Sequence, residues 1–392
     1  MKIIHIYGHS YGGNFVITQL KELKKQQHDL LVICPSNGPF SDTLKKLNID
    51  VKFIDFQGAK MLDIPKVLSS IWKIRKTIKA FQAQIVHYHL IKAIIVGRLS
   101  CAFLKSVKTF SQLGGPLTLE MKVFRRLDLA TAMFDDKIIC SSYNIRDIYA
   151  KYHVSRHKCE VLHYAFPLNP FLSTNKKEAR KIIRAEFNIE ESANVIGMVA
   201  YLYDSNFRQF KNVGLKGHET LIAAAKEIVN KQKNTIFLIV GQDIDGGDKY
   251  LKKLKLLVSQ TNLEANFIFT GFRKDIPQLI SAMDIVAVPS LSENCGGAVE
   301  PLLMKVPVVA SRIGGLTDIV IENQTGWLCA PADTASLNSA LQLALNAPEP
   351  KRNDMGEQGH KLVSELFNPE VNGEKLVTIY KKTLSPFNRV DL

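Results

Sequence analysis

Thirteen short runs of apolar, β-branched and aromatic residues punctuate the chain, separated by helix-length stretches. In the first half these are KIIHIY (2–7), LLVICP (30–35), VKFIDF (51–56), QIVHYHL (84–90), VKTFSQL (107–113), DKIICSS (136–142) and EVLHYAF (160–166). Each is apolar nearly throughout, as a strand buried on both faces is. Between them lie segments such as KVLSSIWKIRKTIKAF (66–81), whose Val67, Leu68, Ile71, Ile74 and Ile78 fall on one helical face. Strand and helix in alternation predict right-handed βαβ units and a parallel sheet covered on both sides.

The alternation breaks at 167–193, a charge-dense stretch with prolines at its start, which marks a domain boundary near 166–170. A second series follows: NVIGMVAYL (194–202), TIFLIVG (235–241), FIFTGF (267–272), DIVAVPS (284–290), VPVVAS (306–311) and TGWLCAP (325–331), with GHETLIAAAKEIVNKQ (217–232) among the helices between. The tail PEVNGEKLVTIYKKTL (369–384) reads as a last amphipathic helix. The expected class is α/β: two doubly wound Rossmann-like domains, 1–167 and 168–369, facing across a cleft. The segment near 370–392 is a candidate to pack back on the first domain. In such sheets ligands bind at the carboxyl ends of the strands, beside the point where strand order reverses.

At 392 residues and 46% apolar the chain suits two cores. No apolar run is long enough for a membrane-spanning helix, and MKIIHIYGHSYGG lacks the pattern of a secretory signal. The cysteines Cys34, Cys101, Cys140, Cys159, Cys295 and Cys329 form no CxxC pair and sit mostly in strand-like runs. Buried thiols in a reducing compartment are expected. The charge is uneven. Residues 1–165 hold 25 basic and 12 acidic residues, a net of +13; the remainder holds 51 − 25 = 26 basic and 37 − 12 = 25 acidic, a net of +1. A one-sided field of this kind draws a polyanion: an anionic bilayer, a nucleic acid or a phosphorylated substrate. It is also what a solubilising surface looks like.

Three stretches carry chemistry. Gly8-His9-Ser10-Tyr11-Gly12-Gly13-Asn14 joins the first strand to the first helix, where glycine amides and a helix N-terminus suit a phosphate. It is neither a G-x-G-x-x-G nor a Walker loop, and Cys34-Pro35 ends the second strand where a ribose-binding acid would stand, so a nicotinamide cofactor is disfavoured. Lys216-Gly217 precedes a helix, with Arg208 and Lys211 in the insertion before it. A fixed cation there suits a leaving diphosphate, although loop cations at helix starts are common. Finally, PSLSENCGGAVEPLLMKVPVVASRIGG (289–315) places Glu293 at a strand end, Asn294 to Gly297 as a turn, and Ala298 to Met304 as a helix with Glu300 in its first turn. Bare amides at a helix start favour anions, and carboxylates accept from sugar and ribose hydroxyls. Taken singly, Glu300 also reads as a partner of the helix dipole and Glu293 as a solvated loop acid.

SENCGGAVEPLLMKVPVVASRIGGLTDIVIENQTGWL (292–328), with GMVAYL, KGHETLIAAA, TIFLIVG and TGFRKDIPQLISAMDIVAVPS before it, resembles the retaining glycosyltransferases of family 4, of the GT-B fold and bacterial surface-polysaccharide type. The resemblance is strong over the second domain and looser over the first. It implies that Glu293 contacts donor sugar hydroxyls and Glu300 holds the nucleotide ribose. Backbone amides around Asn294, Cys295, Gly296, Gly297 and Ala298 would meet sugar and diphosphate, and Lys216 would neutralise the diphosphate. Gly12, Gly13 and Asn14 would approach it from the first domain. Gly241, Phe272 and Arg273 would line the base. The family needs no metal and no dissociable cofactor beyond the UDP- or GDP-linked donor. Three departures stand out. The two glutamates are one residue closer than usual. Tyr201 replaces a customary cation whose work passes to Arg208 or Lys211. Gln112 or Leu113 replaces a customary histidine, Gln112 being able to bond a sugar hydroxyl.

Other features have plainer readings. Asp243-Ile244-Asp245 looks like a metal-binding DxD but sits in a Gly-Gly turn that explains it better. His87 and His89, i,i+2 on a strand, lead to no metal site without a third ligand; either one is a candidate acceptor contact at the cleft edge. Lys122, Arg125 and Arg126 beside Met121, Phe124 and Leu127 start a basic amphipathic helix, suited to a membrane surface or to solvent. The function expected is retaining transfer of a hexose from a nucleotide-diphosphate sugar to a hydroxyl of a growing glycan. That glycan is expected to be a lipid-linked oligosaccharide, O-antigen, capsule or lipopolysaccharide, and the enzyme to sit at the cytoplasmic face of the inner membrane. The alternative is a nucleotide-sugar 2-epimerase on the same fold. A nucleic-acid partner is not expected, for no reading module is present.

Overall fold

A computed structural model describes residues 1–56, 64–204, 213–244 and 246–385. The chain divides into two compact units, Met1–Pro167 with Leu366–Leu392, and Leu168–Glu365.

The first unit holds a seven-stranded parallel sheet, β1 (Lys2–Tyr7), β2 (Asp29–Cys34), β3 (Asp50–Phe53), β4 (Ile85–His89), β5 (Lys108–Gln112), β6 (Lys137–Cys140) and β7 (Cys159–Val161). Its strands lie in the order β3-β2-β1-β4-β5-β6-β7, so direction of winding reverses between β1 and β4. Ile3, Ile4 and Ile6 of β1 are all fully buried, because helices cover both faces of the sheet. One cover is the helix Asn14–Lys25, which buries Val16, Ile17, Leu20 and Leu23 at helical spacing. The final helix, Pro369–Leu384, packs on that helix and adds Leu376, Val377 and Tyr380 to the same core. Strand β7 is shorter than its apolar run. Beyond it the chain leaves the sheet, and the Phe166 amide donates to the Phe367 carbonyl at 3.0 Å.

The second unit holds a six-stranded parallel sheet, β8 (Asn194–Val199), β9 (Thr235–Val240), β10 (Phe267–Gly271), β11 (Ile285–Val288), β12 (Val308–Ser311) and β13 (Gly326–Cys329), in the order β10-β9-β8-β11-β12-β13. Winding reverses between β8 and β11. Trp327, fully enclosed, joins Phe237, Ile239 and Leu341 in its core. The polar stretch that opens this unit forms two helices, Asn169–Leu172 and Lys176–Glu186. The second buries Arg184, whose guanidinium donates to the carbonyls of Glu190, Glu191 and Ala193 and to Asp284. A charged sequence is thus held as a helix by backbone carbonyls.

Candidate functional site

The carboxyl ends of β8 and β11 flank the reversal of winding in the second unit, where a doubly wound sheet opens a crevice. Lys216 lies on the segment after β8 and Glu293 on the segment after β11. These segments meet through their backbones. The Leu291 amide donates to the Leu215 carbonyl at 2.8 Å. Gly217 takes φ 79°, and a Cβ there would stand 2.0 Å from the Pro289 carbonyl oxygen, so only glycine permits the approach. Gly217 also caps the helix His218–Lys231.

That approach brings Lys216 Nζ onto Glu293 Oε2 in a short ion pair. Both side chains are largely buried. Ser290 Oγ donates to the same oxygen at 3.4 Å, and the Asn294 amide donates to Oε1 at 3.2 Å. The Lys216 ammonium also lies 5.9 Å from the centre of the Tyr203 ring. From behind, the second Gly-Gly braces the loop: the Gly315 amide donates to the Glu293 carbonyl at 3.3 Å, and the Cys295 thiol donates to the Gly315 carbonyl at 3.1 Å. Cys295 is buried, which pushes its thiol pKa up, so it is a packing group in this loop.

The helix expected from Ala298 begins earlier, at Gly296, and runs to Leu303. Gly296 and Gly297 are therefore its first residues, whose amides have no intrahelical acceptor. A Cβ on Gly297 would sit 3.6 Å from Glu293 Oε2 and 3.0 Å from Val288 Cγ1. The earlier start changes two expectations. Ala298 is buried and its amide already donates to the Cys295 carbonyl at 3.0 Å, so it does not face a ligand. Glu300 lies in the second turn rather than the first, beyond the reach of the dipole argument. Part of Glu300 stays accessible, yet burial pushes its carboxyl pKa up to about 7. No hydrogen bond to its carboxylate is found among the described residues.

The remaining second-unit candidates fare differently. Gly241 follows β9 at φ 150°, and a Cβ there would stand 1.9 Å from the Ala200 carbonyl oxygen. Glycine is thus required for the backbone to pass. Phe272 is half exposed. Arg273 is saturated by carboxylates, pairing with Glu186 and, at 2.6 Å, with Asp275. Arg208 and Lys211 lie outside the described residues. Asp243 donates nothing to a metal motif: its carboxylate accepts from the Tyr250 and Leu251 amides at 2.8 and 3.0 Å, opening the helix Lys249–Gln260. Asp245 lies outside the described residues.

In the first unit, Gly12 and Gly13 take φ 67° and 77° between β1 and the helix that begins at the exposed Asn14. A Cβ on Gly13 would come within 2.8 Å of the Tyr7 ring and 2.9 Å of Phe40. Gln112 ends β5 fully enclosed, with no partner for its Oε1 among the described residues. His87 and His89, expected at a cleft edge, are instead completely buried. The third ring that sequence spacing did not reveal is His5 on β1, in register with His87. His5 Nδ1 and His89 Nε2 face each other at 2.9 Å between nearly parallel rings, so the two share one proton. One ring nitrogen from each of His5, His87 and His89 lies within 4.8 Å of the others, His5 being the third ligand that the i,i+2 pair lacked. His87 Nδ1 meets the Tyr380 hydroxyl at 2.6 Å. Burial lowers all three pKa values, His5 to about 3. Among the basic-helix residues, Lys122 and Arg126 are exposed, whereas Arg125 folds back to donate to the Leu119 carbonyl at 3.0 Å and stack on Tyr152.

Two neighbours of the site escaped sequence reasoning. Ser290 touches Glu293, and no spacing rule singles it out. His218, first residue of its helix, is buried beside Lys216 with neither ring nitrogen bonded among the described residues, and burial lowers its pKa to about 3. A helix-face count marks it only as a core position.

Residues 206–362 match the family model described as Glycosyl transferases group 1, and residues 12–169 match Glycosyltransferase Family 4. A 2-deoxystreptamine glucosyltransferase of Streptomyces kanamyceticus is 33% identical over 138 residues, 34% of this chain and 34% of that protein. An Escherichia coli UDP-Gal:alpha-D-GlcNAc-diphosphoundecaprenol alpha-1,3-galactosyltransferase is 25% identical over 337 residues, 83% of this chain and 82% of that one. The matched region spans about a third to a half of the first curated relatives. Among solved structures, Anabaena HepE in complex with UDP superposes with a TM-score of 0.82 at 21% identity, covering 97% of this chain and 100% of that one. At that identity the likeness is one of fold, and the fold is that of two Rossmann-like domains.

Proposed function

Because the chain belongs to the glycosyltransferases of group 1 and family 4, we propose that it moves a hexose from a nucleotide-diphosphate sugar, UDP- or GDP-linked, to a hydroxyl of a growing glycan, with retention at the anomeric carbon. The observation that carries this reading is the juxtaposition of Lys216, Glu293 and the Gly296-Gly297 helix start at the switch point, with Glu300 one turn further on. Negative charge grows on the diphosphate as the sugar leaves. Lys216 Nζ and the first-turn amides are placed to stabilise it, and electrostatic preorganisation of that kind supplies the largest share of such a barrier reduction. Glu293 accepts from sugar hydroxyls and orients the reacting carbon. Glu300, a carboxyl without a hydrogen-bond partner among the described residues, accepts from the ribose. Arg208 or Lys211 supplies a further cation. Attack on the same face from which the phosphate departs needs no protein nucleophile; the departing phosphate oxygen takes the acceptor's proton. The site calls on no metal, and the nucleotide sugar is the only small molecule it needs.

The acceptor we propose is lipid-linked, as in the diphosphoundecaprenol-named relative. No helix among the described residues is long and apolar enough to cross a membrane. Contact with an anionic inner leaflet would therefore be peripheral, through the basic first unit and its exposed Lys122 and Arg126. Changing Lys122 and Arg126 to Glu should abolish binding to anionic vesicles at low salt; unchanged binding would remove the membrane from the proposal. The transferase reading itself is tested by thermal shift with UDP, GDP and their sugars. A ligand that stabilises the wild type and not Glu300→Ala places the nucleotide at this site. The absence of any shift overturns the reading.

A further inference from the structure

The anion cradle at the second switch point is already filled. Glu293 carries its carboxylate to the N-terminal end of the helix Gly296–Leu303, against Lys216 Nζ, with Ser290 Oγ and the Asn294 amide donating to it. Those are the groups a diphosphate oxygen would want: a cation, a hydroxyl, an amide and bare glycines, Gly297 lying 3.6 Å from Oε2 at its missing Cβ. Lys216 has no other carboxylate partner among the described residues, and its pair with Glu293 is largely shielded from water. An incoming phosphate must therefore take Lys216 away from Glu293 and leave a largely buried carboxylate beside a new anion. A carboxylate stranded in this way is expensive unless it gains donors.

We propose that Glu293 is a built-in plug of the diphosphate cradle, and that only a nucleotide still carrying its sugar releases it fully. The inference rests on the donor reading above. When a nucleotide sugar enters, Lys216 Nζ turns to donate to a phosphate oxygen, and sugar hydroxyls donate to the Glu293 carboxylate in its place. Both charges remain paired. When the sugar has left, the nucleoside diphosphate holds Lys216 alone, and Glu293 has lost the sugar hydroxyls and keeps only Ser290 and the Asn294 amide as donors. The ion pair then re-forms in competition with the product. Glu293 thus acts twice: it orients the sugar, and it lowers affinity for the spent nucleotide, so that product leaves. Its neighbour Ser290, hydrogen-bonded to the same oxygen, holds the plug in its resting rotamer.

Isothermal titration of the full chain with UDP, GDP, UDP-glucose, UDP-galactose and GDP-mannose tests this, comparing wild type with Glu293→Gln and Glu293→Ala. Removing the charge should tighten binding of the preferred free diphosphate by about fivefold or more, whereas binding of its sugar conjugate should stay level or weaken. The ratio of the two affinities therefore collapses or inverts. Gln keeps the side-chain shape, and Ala covers the case in which Gln re-forms a neutral bond to Lys216. Wild type and both variants binding the diphosphate equally well, or the variants binding it more weakly, would overturn the plug while leaving the donor reading intact. Binding by neither wild type nor variants, with unfolding temperatures unchanged, would overturn both.

Discussion

At the first reversal of winding, between β1 and β4, the strand ends carry three buried, neutral imidazoles and a bulky residue in a strained turn. Leu90, directly after His89, holds φ 72° and ψ 149°, a region almost confined to glycine. At the second, between β8 and β11, the strand ends carry a cation, two carboxyls and a helix start with bare amides. The topology is the same, and the chemistry differs because the partners differ. In the first unit Tyr380 of the final helix closes over His87 and removes water. In the second, the glycine at 217 lets two loops touch while leaving Lys216 and Glu293 in partial contact with solvent. Charge survives where a ligand can reach it, and where the chain buries the switch point only neutral groups remain.

Five substitutions or conditions sharpen that contrast. Lys216→Ala should lower kcat/KM for sugar transfer by about 10²–10³-fold, the range for loss of one preorganised donor, and should also lower the unfolding temperature, because it strands the largely buried Glu293 carboxylate; steady-state kinetics with calorimetry checks both. A loss under tenfold would mean that the second switch point does not hold the reacting phosphate.

Acid should strike the first unit hardest. His5, His87 and His89 bind protons when unfolded near pH 6.5 and resist them when folded, so stability is held above that pH and lost as pH falls below it. At pH 5 the penalty for His5 is about 2 kcal/mol, and His87 and His89 act in the same direction. Urea titrations from pH 8 to 5 should show it, and His5→Asn with His89→Asn should flatten the profile.

Gly13→Ala should destabilise the first unit by about 1–3 kcal/mol, since it combines a positive φ with a Cβ thrust against Tyr7 and Phe40. Chemical denaturation reads it directly. A neutral result would mean that the loop can reshape.

Glu300→Gln tests the second unit in the opposite sense of pH. Its folded carboxyl is raised to about 7, so the wild type is most favoured below pH 4.5 and loses stability as pH rises through 7. The variant should therefore be more stable at pH 8, on the order of 1–3 kcal/mol after allowance for partial exposure. It should match the wild type near pH 4.5 while binding nucleotide more weakly. Smallest of all, Arg273→Ala should cost under about 1 kcal/mol, because its partners Glu186 and Asp275 are partly solvated.

The strands were legible because parallel strands covered by helices must be apolar along their length, and each apolar run overlaps one of β1 to β13, β7 by only Glu160 and Val161. Helices were legible where one face packs, as in Pro369–Leu384 and in Ile64–Phe81, although Leu68, expected on the packed face of the latter, is exposed. The pair Lys176–Glu186 and Asn169–Leu172 was not, since its polar surface hides a helix held by Arg184 and backbone carbonyls. Of the candidate site, Lys216, Glu293, Gly296, Gly297 and Glu300 stood out through the family resemblance of the stretches that hold them; taken singly, the charges also read as a loop cation, a loop acid and a partner of the helix dipole.

Sequence alone therefore determined the α/β class and two series of strands through local patterning and spacing, and the charged cluster of the second unit through the family resemblance. Tertiary structure decided the rest. It brought His5 beside His89 across 84 positions and set Tyr380 against His87 across 293. It started the helix at Gly296, which moved Glu300 out of the first turn and tied up the Ala298 amide. It also joined Lys216 to Glu293, because only the packing of Gly217 on Pro289 sets the distance between two loops that the chain places 77 residues apart.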